Sequence, residues 1–435
     1  MQKIFTLFIL LVLLAAPDTA DAARLWTSGI EQGTVVIDSE FDDVTGTGHS
    51  VSTTNVRSGT YSLRTNPTVD QSFVEMYPVT PEIGVAYVRV YLYIASAPNT
   101  PTSMLEVNRF ENITTVCGLQ LNTNRTLQVY ADGIDPGDLI GNVSPTLALN
   151  TWHRVELLCD SSVVGTFTAA GRLDGTQFAS GSMNNGGEAA NQVGGITFGV
   201  DAGSWGRTAT ADLYFDDIAM NSTSGGAQTS WPGSGRIVHL RPNAQGDSDP
   251  SGCNNTTPCG VPANSYQNID EVAPNDGTDF IDIDTAISAD WNMDNASARG
   301  IQPLDTITLV DVGYDAEEEV LATSAMTPRI KSASGGTVST ITAVTLSHTV
   351  WNINEDGTNN YVNRFVSYTD PTTGIAWTPT GTNSLDNMQL GVEMTTGTAD
   401  FDISTLWAAV EYVDNIKRVQ LKSGRIKVQG ARLKL

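Results

Sequence analysis

Basic side chains are scarce in this sequence. Its 435 residues include 23 Lys and Arg against 48 Asp and Glu, which gives a formal net charge of -25 and a pI near 4.3. A protein that binds nucleic acid neutralises phosphates with a basic surface, so we expect no nucleic-acid partner. Hydrophobic residues still make up 40% of the chain, which is typical of a folded globular protein. At roughly 100–200 residues per domain, the length predicts two or three domains.

Long hydrophobic runs are absent beyond the first residues of the chain. Residues 4–16 form an apolar run that Pro17 ends, which is shorter than the roughly 20 residues that a membrane span needs. Residues 20–22, Ala-Asp-Ala, have the small side chains that a signal peptidase recognises. The sequence therefore predicts a signal peptide at 1–22, a secreted, extracellular protein that begins near Ala23, and no membrane insertion after cleavage.

Cysteine and histidine are also few. The four His are scattered and the four Cys lack the paired spacing of a zinc site, so we do not expect zinc. Cys253 and Cys259 flank a polar loop, and Cys117 and Cys159 lie in two strand-like runs that could be neighbours in one sheet. In an exported protein these positions predict two disulfides, one in each half of the chain.

Apolar residues at helical spacing are missing as well, whereas two-residue alternation and β-branched residues recur throughout. This pattern predicts an all-β protein built from two β-sandwich domains. The Ser/Gly-rich stretch at 223–235 predicts a linker between a first domain at 23–222 and a second at 236–415. The last residues, 416–435, hold seven Lys/Arg and no acid, and are typical of a basic hairpin or tail.

The first domain resembles the concanavalin A-like and laminin-G-like jelly-roll families. Three phrases carry the resemblance, namely the turn RSGTYSL at 57–63, the strand NTWHRVELLC at 150–159 and the closing strand LYFDDIAM at 213–220. The resemblance implies two packed antiparallel sheets, one of them concave, and Trp152 is expected in the core. In several relatives an acidic residue of the first strand and an Asp of the last one hold a structural calcium ion. The matching positions here are Glu31 and Asp217, so calcium is the one possible cofactor.

The second half resembles a domain that recurs in uncharacterised phage and prophage surface proteins. The resemblance runs from GRIVHLRPNAQGD at 235–247 to TDPTTGIAWTPTGTNSLDNMQLGVE at 369–393. It implies a virion or surface module and possible self-assembly, and it transfers no functional residues.

Catalytic motifs are the last absence. Sandwich glycosidases carry an E-x-D-x-E strand that places two carboxylates on one face, and residues 24–222 contain none. There is also no G-x-S-x-G, H-E-x-x-H or phosphate-binding glycine loop. We therefore expect no catalytic residues and no enzyme, with a glycan-degrading activity as the weakest of three hypotheses.

The function predicted from these observations is a secreted, non-catalytic binding or adhesion protein that recognises carbohydrate or a cell-surface component. The candidate ligand-binding residues are Trp205 and Tyr130, two aromatic side chains expected in exposed loops. A phage or prophage virion protein is the alternative, and the signal peptide argues against it.

Overall fold

The computed structural model describes residues 23–35, 40–68, 71–79, 81–110, 114–131, 139–184, 186–201, 208–248, 262–273, 280–283, 288–318, 325–340, 344–345, 352–353, 365–394, 401–415, 420–422 and 425–427. The predicted signal peptide, Trp205, Cys253 and Cys259 lie outside them and stay predictions. None of the helices in the described ranges is both long and apolar enough to cross a membrane.

The first half of the chain is made of strands, as the alternating pattern predicts. They are β1 (Arg24–Ser28), β2 (Asp43–Gly46), β3 (His49–Ser52), β4 (Ser62–Thr65), β5 (Ser72–Met76), β6 (Val85–Ser96), β7 (Thr102–Asn108), β8 (Thr115–Leu121), β9 (Leu127–Ala131), β10 (Leu139–Ile140), β11 (Trp152–Val163), β12 (Thr166–Leu173), β13 (Thr176–Asn184), β14 (Gly195–Asp201) and β15 (Asp212–Asn221).

These strands form two antiparallel sheets. The eight-stranded sheet has the order β13-β12-β11-β6-β15-β4-β3, and β1 also pairs with β15. The seven-stranded sheet has the order β10-β9-β8-β7-β14-β5-β2. Side chains from both sheets share one apolar core, which makes the first half a β-sandwich and confirms the predicted fold class.

A tight turn joins β12 to β13. Asp174 and Gly175 both have positive φ, 51° and 85°, which is the backbone that a two-residue hairpin with right-handed strand twist requires. The Asp-Gly pair in the sequence is the signal for this turn.

A disulfide joins the two sheets of the first half. Cys117 on β8 and Cys159 on β11 are bonded, with their Cα atoms 6.0 Å apart, and both residues are fully buried. The predicted pairing is confirmed, but its predicted place in one sheet is wrong. Both cysteines point into the core from opposite sides, so the bond crosses the sandwich.

The second half is again made of strands, with three short 3-10 helices at Pro262–Asn268, Ala296–Arg299 and Leu385–Asn387. The strands are β16 (Arg236–Leu240), β17 (Pro242–Gln245), β18 (Ile281–Ile283), β19 (Ser288–Met293), β20 (Thr306–Glu318), β21 (Ala325–Lys331), β22 (Ser339–Thr340), β23 (Val344–Thr345), β24 (Asn352–Ile353), β25 (Phe365–Ser367), β26 (Gln389–Met394) and β27 (Phe401–Val413).

Two antiparallel sheets of six strands enclose the second core. One has the order β16-β27-β20-β24, with β18 beside β27 and β25 beside β20. The other has the order β17-β19-β26-β21-β22, with β23 beside β21. Trp291, Tyr314 and Phe401 are among the largest side chains buried between them. Beyond this sandwich, β28 (Gln420–Lys422) and β29 (Arg425–Lys427) pair as an antiparallel hairpin.

The two halves meet at a buried group of charges. Glu411 of β27 accepts hydrogen bonds from Arg24 of β1 at 2.9 Å and from Arg89 of β6 at 2.5 Å. Burial alone would raise the pKa of Glu411, but the two guanidinium groups outweigh it and lower the pKa to about 2. The carboxylate is therefore ionised over the whole physiological range and ties the second half to the outer face of the eight-stranded sheet.

Candidate active site

Polar side chains cross the seven-stranded sheet on the face away from the core. β5 places Val74 in the core, and Glu75, the next residue, points to the opposite face. In the same way β7 places Leu105 in the core and Glu106 on the outer face. Alternation along each strand thus brings acidic groups to one surface of the sheet.

Strand register arranges these side chains in a line. Thr197 of β14 is the cross-strand partner of Glu75 on one side and of Glu106 on the other. Glu106 is the partner of Gly118 on β8, and Gly118 is the partner of Tyr130 on β9. We call Glu75, Thr197, Glu106, Gly118 and Tyr130 the polar row.

Gly118 gives Tyr130 the space to reach Glu106. A Cβ atom at position 118 would collide with the ring and hydroxyl of Tyr130 and would lie 2.8 Å from the carbonyl oxygen of Leu105. Because glycine leaves this space open, the tyrosine ring crosses β8 and places its hydroxyl over β7. The glycine in the middle of this strand has a steric reason.

Hydroxyl groups surround the Glu106 carboxyl group. The Tyr130 hydroxyl donates to Glu106 Oε1 at 2.7 Å, and Thr115 Oγ1 donates to Glu106 Oε2 at 3.1 Å. Ser103 Oγ lies 2.7 Å from the Tyr130 hydroxyl oxygen. Burial, and next the negative charge of Asp201, raise the pKa of Glu106 to about 7. Glu106 is thus a carboxylic acid that holds its proton up to neutral pH.

Glu75 forms a second, linked group. Thr197 Oγ1 donates to Glu75 Oε1 at 3.0 Å and accepts a hydrogen bond from Asn108 Nδ2 at 2.6 Å. Burial raises the pKa of Glu75, and it also raises the pKa of Tyr77. Among the described residues, Asn108 Oδ1 has no hydrogen-bond partner although it is buried.

Asp201 lies at the end of β14, where its cross-strand partner is Ser103 of β7. It is 4% exposed, compared with 3% for Glu106 and 2% for Tyr130. Its negative charge raises the pKa of Glu106 after burial and contributes to raising that of Tyr130 after burial and Glu106. Asp201 is therefore the second carboxyl group of the site around Glu106.

This arrangement suits proton transfer. Glu106 is a proton donor with a pKa near neutrality, which is the range that general acid catalysis favours. Burial, and next Glu106, raise the pKa of Tyr130 well above its usual value, so the phenol keeps its proton and acts as a hydrogen-bond donor. The described part of the row holds no Lys, Arg or His.

The four residues predicted from the sequence lie in three places. Tyr130 belongs to the polar row and is buried, although it was expected in an exposed loop. Trp205 lies outside the described residues. Glu31 and Asp217 lie apart from the polar row, beside the turn at 57–61. Asp216 accepts a hydrogen bond from the backbone of the same turn, and its pKa is raised by burial and by the charges of Asp217 and Glu31.

The donors around Glu31 and Asp217 are nitrogen and hydroxyl groups. The backbone N–H groups of Thr60 and Tyr61 bind Glu31 Oε1 at 2.8 and 3.0 Å. Arg57 and Ser58 bind the Asp217 carboxylate. Among the described residues, no group of three or more His, Cys, Asp or Glu side chains is placed to hold a metal ion. A structural calcium stays a prediction, which melting with Ca²⁺ and with a chelator tests.

Sequence reasoning missed Glu75 and Glu106. Each lies inside an apolar strand, in SFVEM and TSMLEVN, where alternation shows only that the side chain leaves the core. Only the pairing of five strands brings them to one line. The available signal was a single Glu that follows directly on two apolar residues within a strand, in FVE of β5 and MLE of β7.

This chain is similar to several solved structures. No family model and no curated protein matches this chain. Among solved structures, a cellulose induced protein, Cip1, is 17% identical, covering 44% of this chain and 90% of its own, with a TM-score of 0.31. An endo-β-1,4-glucuronan lyase from the fungus Trichoderma reesei is 16% identical over 42% and 91%, with a TM-score of 0.32. The alginate lyase Aly36B is 13% identical over 43% and 90%, with a TM-score of 0.33.

These comparisons overturn two predictions. The protein was predicted to be a non-catalytic binding protein, or alternatively a virion component, and not an enzyme. The similar structures are instead carbohydrate-processing proteins, lyases among them. Their low TM-scores carry no argument about the reaction of this chain, which we derive from its own residues.

Proposed function

We propose that this protein is an enzyme that hydrolyses a neutral glycan at the polar row. One observation carries the proposal, which is the buried Glu106 with its pKa raised to about 7, beside the second carboxyl group of Asp201. Glycoside hydrolysis uses two carboxyl groups, one to protonate the leaving oxygen and one to act as base or nucleophile.

Glu106 is the proton donor in this proposal. Tyr130 and Thr115 both donate to its oxygens, so the carboxyl group is held in one orientation. Its proton goes to the glycosidic oxygen as the bond from carbon to that oxygen breaks. Asp201 is the second carboxyl group and accepts the proton of the water molecule whose hydroxyl group the sugar carbon gains.

Hydrolysis suits the row better than β-elimination. Elimination from a uronic acid needs a base that removes a proton from carbon and a positive group that neutralises the sugar carboxylate. Tyr130 keeps its proton because burial raises its pKa, so it does not supply the base that elimination needs.

The charge of the row also favours a neutral substrate. Glu75, Glu106 and Asp201 all lie on this surface, and the whole chain has a net charge of -25. The net negative charge of the chain would repel a polyanionic glycan, whereas it would not repel a neutral one.

Two sequence predictions complete the proposal. Trp205 follows Asp201 by four residues and is the proposed aromatic contact for a sugar ring. The predicted signal peptide at 1–22 would deliver the enzyme to extracellular glycans.

The test is an assay of reducing ends released by the chain from Ala23 to Leu435. Neutral β-glucan, xylan and galactomannan are compared with alginate and polyglucuronate, from pH 5 to pH 9. We expect release from a neutral glycan, with activity falling above about pH 7 as Glu106 loses its proton. Glu106→Gln and Asp201→Asn should each lower kcat by about 100-fold or more.

The matched control is Glu188→Gln, which removes an exposed carboxylate that binds Arg109 at 2.9 Å. It should leave turnover unchanged. An unsaturated product from a uronate polymer, or full activity of Glu106→Gln, would contradict the proposal.

A further inference from the structure

A second row of side chains crosses the opposite face of the first sandwich. On the eight-stranded sheet, Tyr93 of β6 is the cross-strand partner of Trp152 on one side and of Tyr214 on the other. Arg64 of β4 is the next partner, opposite Tyr214. We call Trp152, Tyr93, Tyr214 and Arg64 the aromatic row.

The rings of this row are in contact. The centroids of Trp152 and Tyr93 are 5.5 Å apart, and those of Tyr93 and Tyr214 are 5.6 Å apart. The guanidinium carbon of Arg64 lies 5.6 Å from the centroid of the Tyr214 ring. Together they form a continuous aromatic strip across four strands.

Trp152 was expected in the core, and its actual position differs. Val155 and Leu157 of β11 point into the core, so alternation turns Trp152 to the outer face. Trp152 and Tyr93 are half-buried, so each presents part of its ring to solvent. An aromatic residue at such a position gains no stability from full burial.

The second half of the chain covers the same face only in part. Tyr87, on the same side of β6 as Tyr93, packs against Trp231 with ring centroids 5.4 Å apart. Arg89, the next residue on that side, binds Glu411 of β27. Tyr93 lies four residues further along β6 than Arg89 and is half-buried.

The charges around the aromatic row are paired. Arg64 binds both oxygens of Asp212 at 2.8 and 2.9 Å, and His153 Nδ1 lies 3.0 Å from Asp174. Arg154 lies 3.2 Å from Glu156. Arg64 and Arg154 are thus each paired with a carboxylate on a molecule with a net charge of -25, which suits an uncharged ligand better than an anionic one.

We propose that the aromatic row binds a neutral glycan chain at a second site, separate from the polar row. Sugar rings have apolar C–H faces that pack on aromatic rings, and their hydroxyl groups find polar partners at Asn150 and Arg64. Tyr93 already donates to Asn150 Oδ1 at 3.3 Å at this edge. The choice of a glycan rests on the proposed function, and the site would hold the polymer on the face opposite the reaction.

The test is affinity electrophoresis in native gels that contain mixed-linkage β-glucan, xylan or galactomannan, with alginate as the anionic comparison. The chain carries Glu106→Gln, so the polymer stays intact. We expect retardation by a neutral polymer, with the Kd raised about tenfold by Trp152→Ala and by Tyr93→Ser. Trp152→Phe should restore part of the retardation.

Leu304→Ala is the matched control, because Leu304 is 72% exposed in the second half and lies outside the row. Thermal melting confirms that each variant is folded. If Trp152→Ala does not fold, Tyr93→Ser tests the aromatic row in its place. Equal retardation of the variants and the parent, or no retardation by any neutral polymer, would overturn the proposal. So would a dimer of the parent that Trp152→Ala dissociates, because the row would then be an interface between copies.

The two proposals fail separately. Retardation that depends on Trp152, in a protein that releases no reducing ends, would keep the second site and reject the hydrolase. If the protein hydrolyses a glycan but its retardation does not depend on Trp152, the hydrolase is kept and the second site is rejected.

Discussion

Glu106 and Glu411 are both buried, but the pKa of Glu106 is raised and the pKa of Glu411 is lowered. Burial, and next the charge of Asp201, raise the pKa of Glu106 to about 7, and its described hydrogen-bond partners are hydroxyl groups. Burial acts in the same direction on Glu411, yet Arg24 and Arg89 lower its pKa to about 2. The comparison separates a carboxylate held for structure from a carboxyl group that can supply a proton, and the partners of each residue make the difference.

The largest expected effect on stability comes from replacing Glu411, the carboxylate that is held for structure. Glu411→Ala leaves Arg24 and Arg89 buried without their shared partner, so we expect the free energy of unfolding to fall by about 3–5 kcal/mol. Urea denaturation at pH 7 measures it. Wild-type stability would show that the two halves do not depend on this ion cluster.

The pH dependence of the same residue has a definite sign. The pKa of Glu411 is lower in the folded protein than the ordinary value near 4.5. Its contribution is therefore present above the unfolded pKa and is lost as pH falls through about 2. The difference between parent and Glu411→Ala should shrink in that acid range.

The effect of Glu106→Gln on stability should have the opposite sign. Glu106 ionises near pH 7 when folded and near 4.5 when unfolded, so the folded state is penalised as pH rises through this window. Above pH 7 the substitution should raise the free energy of unfolding by up to about 3 kcal/mol, while activity is lost. At pH 4 it should change stability little. Equal destabilisation at both pH values would mean that folding does not raise the pKa of Glu106.

A smaller effect is expected from Gly118→Ala. The added methyl group collides with Tyr130, so we expect a loss of about 1–3 kcal/mol and of the hydrogen bond to Glu106. Tyr130→Phe keeps the ring and removes the hydroxyl, with its hydrogen bonds to Glu106 and Ser103. If position 118 acts through Tyr130, both variants should lower kcat in the same direction, and only Gly118→Ala should disturb packing. Normal turnover in Gly118→Ala would remove this role.

The sequence predicts the first sandwich well because alternation and turn residues are local signals. The strands around Val88, Val90 and Leu92 have their apolar side chains in the core, and the turn at Asp174 and Gly175 lies where the pair predicts it. The resemblance places Trp152 wrongly in the core, whereas alternation with Val155 and Leu157 turns its side chain to the outer face.

The polar row could not be predicted because it depends on register. Glu75, Thr197 and Tyr130 are far apart in sequence, and only the order β9-β8-β7-β14-β5 makes them neighbours. A search for two carboxylates on one strand misses a pair that two strands supply. Cys117 and Cys159 show the same limit, since their pairing was predicted and the two sheets that they join were not.

The disulfide also sets a covalent boundary around part of the polar row. It closes a ring of the chain from Cys117 to Cys159, and Gly118 and Tyr130 lie inside this ring, whereas Glu75 and Glu106 lie outside it. Closing a loop of this length restricts the unfolded chain by about 4 kcal/mol. A disulfide persists only under oxidising conditions. The hydrogen bond from Tyr130 to Glu106 therefore joins a segment whose ring closure depends on those conditions to a residue outside the ring. The redox state of the compartment in which the chain folds thus decides whether the segment that holds Tyr130, the hydrogen-bond partner of Glu106, is covalently closed.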